Sequence, residues 1–128
     1  LAAESECWVS FQVRPDGAHL ADGTPLAEAA AWAADQETVV AVGVNCVAPD
    51  VVARALPVLR EATTKPLVAY PNSGDLYDPA TKTWKAGEEG DGLAALAPSW
   101  GASGVRLIGG CCRTRPAQIR ELAHALSA

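Results

Sequence analysis

Four short β-rich runs, each followed by a stretch of helix-forming residues, limit what this chain can fold into. The runs are residues 7–13 (CWVSFQV), 38–44 (TVVAVGV), 66–70 (PLVAY) and 104–108 (GVRLI). The last three are nearly continuous in apolar residues, as expected of strands covered on both faces. The order β-α-β-α-β-α-β-α implies a parallel sheet with right-handed crossovers. A complete (β/α)8 barrel takes about 250 residues. The 128 residues here, with four βα units, correspond to about half of one. A small four-stranded open α/β sheet is the alternative.

The helical stretches carry their own punctuation. Thr24 is placed to cap a helix that starts at Pro25 and runs to about Ala34. Pro49 and Asp50 open a second helix over 51–62, which Pro57 is expected to kink or split. Residues 72–90 read as a long irregular stretch, in which the Glu88-Glu89 pair and Asp91 beyond it form a solvated face. A third helix over 92–100 is disturbed by Pro98. Thr114 is expected to cap the last helix, with Pro116 in its first turn and Ile119, Leu122, Ala123 and Leu126 as its apolar face.

Composition narrows the function classes. Apolar residues make up 49% and charged residues 20%, enough for a packed core and against disorder. A net charge of −5 argues against a nucleic-acid partner. No apolar run approaches the ~20 residues of a membrane span, and there is no signal-peptide pattern. No methionine occurs, so Leu1 is not a translation start, and a processed chain or a piece of a longer one is expected. The four cysteines, Cys7, Cys46, Cys111 and Cys112, read as reduced thiols of a cytoplasmic protein rather than a disulfide scaffold.

In parallel α/β folds the functional site lies at the C-terminal ends of the strands. Val44-Asn45-Cys46, Tyr70-Pro71-Asn72-Ser73-Gly74 and Gly109-Gly110-Cys111-Cys112-Arg113 all fall there. Three thiols therefore share one rim, although Cys7 does not. Adjacent cysteines on a regular strand would face opposite ways. Gly109 and Gly110 are expected to supply the unusual backbone angles that turn both toward one centre. Three convergent thiols suit Zn2+, with a fourth position open for substrate. Three thiolates around Zn2+ sum to −1, which suits holding a substrate thiolate better than activating water. Spacing alone leaves buried or redox-active thiols open as alternatives.

Those three segments, continued by Thr114-Arg115-Pro116, resemble the homocysteine S-methyltransferase family, and the likeness extends over nearly the whole chain. The Tyr-Pro-Asn-Ser-Gly wording, followed by Tyr77-Asp78 and Trp84, is most similar to the S-methylmethionine-type branch. The resemblance implies the C-terminal half of a homocysteine-binding (β/α)8 TIM barrel over residues 1–128, with strands five to eight. It implies a Cys46, Cys111 and Cys112 zinc site and methyl transfer from a sulfonium donor, S-methylmethionine or similar, to homocysteine, forming methionine. Asn72 could reach the open metal position, with a plain turn beside Pro71 as the alternative. Arg113 could receive the substrate carboxylate. Tyr77 and Trp84 are read as loop packing, with a cation–π cover for the sulfonium as the alternative.

The family's N-terminal half, which holds the homocysteine amine, is not among these residues. The chain is therefore expected to need that half or self-association. Val42, Val68 and Leu107 are expected on an inner face without an opposite wall. A zinc-stabilised half-barrel acting only as an interaction unit is the competing reading. A thiol redox protein using Cys111-Cys112 is a third.

Overall fold

The computed structural model describes residues 5–86 and 92–127. The four apolar runs form one parallel sheet: β1 (Cys7–Phe11), β2 (Val39–Asn45), β3 (Leu67–Tyr70) and, after a hairpin described below, β6 (Val105–Ile108). Their spatial order is β1-β2-β3-β6, with β1 and β6 at the edges. Strands adjacent in this sheet follow one another in the chain, so the winding never reverses as it does in doubly wound folds. The helices α1 (Leu26–Ala34), α2 (Pro49–Ala62), α3 (Leu93–Ala102) and α4 (Pro116–Ser127) neighbour one another in the same sequence.

The strand alternation divides the sheet into two faces. Val42, Val44, Leu67, Ala69 and Val105 pack under Leu26, Val52, Leu56, Leu59 and Trp100 of the helices, in one buried cluster. The register row Ser10–Gly43–Val68–Leu107 points the other way. Val42 therefore belongs to the helix-facing core, not to the inner face expected for it. Val68 is on that inner face but buried, whereas Leu107 is 41% exposed. Close packing explains Gly43. A Cβ there would collide with the Val68 carbonyl of the neighbouring strand. Gly43→Ala is expected to lower stability by about 3 kcal/mol or more, because backbone must move to relieve it. A urea melt of the full-length protein measures this, and an unchanged midpoint would contradict the close approach.

Several local expectations are corrected. The first strand ends at Phe11, and Val13 instead bridges to Leu20. Pro25 itself occupies the cap position of α1, and no side chain of Thr24 caps it. Pro57 and Pro98 sit inside α2 and α3 without ending them. For α2 the apolar stripe Val51, Val52, Ala55, Leu56, Leu59 is buried against the sheet, and tertiary packing outweighs one lost backbone bond. Thr114 does not cap α4. The Arg115 N–H donates to Oε1 of Gln118 at 2.7 Å, the return half of a capping box. Of the apolar face of α4 only Leu122 is buried, while Ile119 and Leu126 are exposed, because α4 ends the helix row.

The stretch read as irregular contains a small antiparallel hairpin, β4 (Leu76–Asp78) with β5 (Thr83–Lys85). Its Tyr77 and Trp84 rings lie 5.1 Å apart. Glu88, Glu89 and Asp91 lie outside the described residues. Among the described residues, no helix is long and apolar enough to cross a membrane.

Candidate metal centre

The strands being parallel, the ends of β2, β3 and β6 open on the same rim. Each chain leaves its strand there while keeping one backbone tie to its neighbour. The N–H of Cys46 donates to the Tyr70 carbonyl at 3.0 Å, and that of Cys111 to the Pro71 carbonyl at 2.8 Å. Ser73 N–H donates to the Cys112 carbonyl at 3.0 Å. Asn72 N–H donates to the Val47 carbonyl at 2.9 Å. This lacing brings together Cys46, Cys111 and Cys112, whose sulfurs all lie within 4.8 Å of one another. The Cys46 and Cys112 sulfurs are 3.4 Å apart. Cys7 sits at the start of β1, paired with Val39 at the far end of the sheet.

The donor set fits a thiophilic cation. Sulfurs bound at about 2.3 Å in tetrahedral geometry stand about 3.8 Å apart, close to what the cluster already provides. All four cysteines are free thiols. The three on the rim also perturb one another. Burial raises the Cys46 thiol, but S–H donation from Cys111, a backbone N–H at Cys112 and S–H donation from Cys112 outweigh it and lower the pKa. Burial, then hydrogen bonding and charge repulsion with Cys46, push Cys111 up to about 11. Hydrogen bonding to Cys46, then its charge, raise Cys112. Of the three, Cys46 is thus the readiest to ionise, and a central cation would favour the thiolate form of all three.

The backbone angles that turn the thiols inward do not come from Gly109 and Gly110, neither of which has positive φ. The left-handed residues at the cluster are instead Cys46 at φ 51° and Arg113, next to Cys112, at φ 66°, both non-glycine. Such conformations cost about 1–3 kcal/mol each and persist only where the surroundings impose them. Gly110 is needed for space instead: a Cβ would run into the Thr114 side chain.

The remaining candidates are committed to partners. The Oδ1 of Asn72 accepts the Gly74 N–H at 2.8 Å, an Asx turn. Arg113 donates from Nε to Asp75 Oδ2 at 3.1 Å. Its guanidinium carbon lies 5.7 Å from the centre of the Trp84 ring, so a cation already occupies that aromatic face.

A family profile described as homocysteine S-methyltransferase matches residues 1–126. The chain belongs to the homocysteine S-methyltransferase family. It is 50% identical over 119 residues to "Homocysteine S-methyltransferase" of Escherichia coli (strain K12), covering 92% of this chain and 38% of that protein. It is 42% identical over 120 residues to "Homocysteine S-methyltransferase YbgG" of Bacillus subtilis (strain 168), covering 94% and 38%. The chain thus spans under two-fifths of the length of these relatives. The metallated form of the homocysteine methyltransferase MmuM from Escherichia coli superposes with a TM-score of 0.74 at 43% identity, over 93% of this chain and 35% of that one.

Two features of this family member were not visible in the sequence reading. Asp75 lies 38 residues from Arg113, and nothing in either segment announces their pairing. Gln12, whose Nε2 donates to the Cys46 carbonyl at 3.1 Å, had a signal in hindsight: it follows β1 at the rim end. Ser10 donates to Asn45 Oδ1 at 2.7 Å just below it, tying β1 to the end of β2.

Proposed function

We propose that residues 1–128 form the C-terminal half, strands five to eight, of a homocysteine-binding (β/α)8 barrel, and that the protein methylates homocysteine to methionine. The observation that carries this reading is the triad of thiols within 4.8 Å on one strand-end rim of a homocysteine S-methyltransferase family chain. Cys46, Cys111 and Cys112 are the proposed ligands of Zn2+. Three thiolate ligands would leave zinc able to take a further ligand from the substrate. Zinc bound there would make the homocysteine thiol acidic enough to release its proton to solvent at neutral pH.

The substrate sulfur then forms a bond to the donor methyl as the methyl–sulfonium bond breaks, and the bonding pair returns to the donor sulfur. No side chain of the rim needs to serve as general base. Asn72, which follows β3 at the rim, and Arg113, which follows Cys112, are the proposed substrate contacts. Asp75 takes the Arg113 Nε–H, so the terminal amino groups are the part that would meet a carboxylate. The amine of homocysteine is assigned to the N-terminal half-barrel, which completes the proposed site. Free thiols on an exposed rim fit a reducing, cytoplasmic setting.

The donor is read as a sulfonium. The support is the Tyr70–Gly74 wording with Tyr77, Asp78 and Trp84 after it. The full-length protein is expected to turn over S-methylmethionine and to leave betaine and methyl-folate largely unused. Turnover confined to methyl-folate would overturn the donor assignment, while no turnover of homocysteine with any donor would overturn the function.

A further inference from the structure

We propose that the β4–β5 hairpin is a latch for the thiol cluster: Asp75 and Trp84 hold Arg113, and through it the Cys112 backbone, where the third thiol meets the metal. The inference rests on the reading that the three thiols hold a metal ion. It begins with a distribution. The non-glycine residues with positive φ, among the described residues, are Cys46, Lys82 and Arg113. Cys46 is a member of the cluster, Arg113 follows another member, and Lys82 makes the turn between β4 and β5. The strained backbone is concentrated in one unit formed by the cluster and the hairpin.

Arg113 is the informative member. Glycine adopts φ near 66° without penalty, so a turn alone would be better served by glycine. Arginine there makes two contacts that glycine cannot. Its Nε reaches Asp75 at 3.1 Å and its guanidinium lies over Trp84 at 5.7 Å. A partly exposed ion pair alone holds little. A planar guanidinium gripped on one edge by a carboxylate and on its face by an indole is far more restricted. The segment leading to the hairpin adds a second tie, from Ser73 N–H to the Cys112 carbonyl at 3.0 Å.

The dependence also runs the other way. A hairpin with three residues per strand does not hold its shape alone. Tyr77 braces Trp84 from the other strand, and Arg113 docks the pair to the rim. The hairpin and the Cys111-Cys112 turn therefore order each other. Outer groups that fix a ligand's orientation change metal affinity by about 10–100-fold when removed, and an effect at the lower end is expected from groups that act through the backbone of Arg113. Asp75, Trp84 and Arg113 are positioning residues in this scheme.

The test uses the full-length protein without substrate, with Zn2+ or Co2+ alone as probe. Release of Zn2+ to a chromogenic chelator and the Co2+–thiolate charge-transfer band are measured for wild type, Trp84→Leu, Trp84→Phe and an Asp75→Asn/Trp84→Leu double variant. The double variant is expected to release Zn2+ about tenfold faster and to show a weakened band. Trp84→Phe, which keeps a ring, restores most of the wild-type behaviour. Arg113→Gly guards against a variant that fails to fold. It relieves the backbone, so the melting midpoint of the metal-free protein holds or rises while Zn2+ release still quickens. Wild-type release from the double variant and from Arg113→Gly overturns the latch alone, even if their metal-free midpoints drop. Wild-type protein that takes up neither metal overturns the site reading, and the latch with it.

Discussion

Serine at any one of positions 46, 111 or 112 is expected to abolish stoichiometric metal binding, while Cys7→Ser retains it. In the proposed site the three rim thiols share one metal, and removing one would leave two ligands that hold Zn2+ more than about 100-fold less tightly. Cys7 is at the opposite end of the sheet, paired with Val39, and no movement short of unfolding brings it to the rim. Elemental analysis of the purified full-length variants measures the metal, and homocysteine turnover should fall with it. Full zinc retention in Cys112→Ser, or its loss in Cys7→Ser, would defeat the ligand assignment.

Residues 1–128 produced alone are expected to give no methionine and to associate in solution. Edge strands β1 and β6 each present an unpaired row of backbone donors and acceptors. The inner face carries Trp8 at 54% and Leu107 at 41% exposure, and α4 leaves Ile119 and Leu126 uncovered. A barrel closes such edges and faces with further strands and helices. The isolated segment should still take up Zn2+, since all three thiols are within it, which separates metal binding from turnover. Solution mass and a methionine assay decide the matter. A monodisperse monomer that works at the rate of the full-length protein would show that nothing beyond these residues is needed.

The parallel sheet was legible because burial on both faces leaves an apolar run that little else produces, as in Ala41-Val42-Gly43-Val44. The rim position of the three thiols followed from the same pattern, since strand ends mark the site in parallel folds. What escaped reading depends on contacts between distant segments. The short β4–β5 hairpin gains its order from docking, so its three-residue strands carry almost no periodic signal of their own. The side of the sheet that Val42 faces is decided by the helix layer, because a continuous apolar run does not reveal its own phase. The glycines before Cys111 looked like hinges, but the angles fell to Cys46 and Arg113, whose neighbours impose them. Proline inside α2 was overestimated as a breaker because its cost is local while the packing of five buried side chains is not.

Cys46 and Cys112 are 66 residues apart in sequence, yet their sulfurs are 3.4 Å apart. A metal held between them closes a loop that takes in α2, β3, the hairpin, α3 and β6, and so acts as a removable staple. By the loop-entropy estimate used for disulfides, closing a span of that length withholds about 4 kcal/mol of freedom from the unfolded chain. Chelation should therefore do more than stop turnover. It should make the segment between the two cysteines open more often, and proteases should cut within it first, so that under the proposed function metal supply would set how long the protein survives as well as how fast it works.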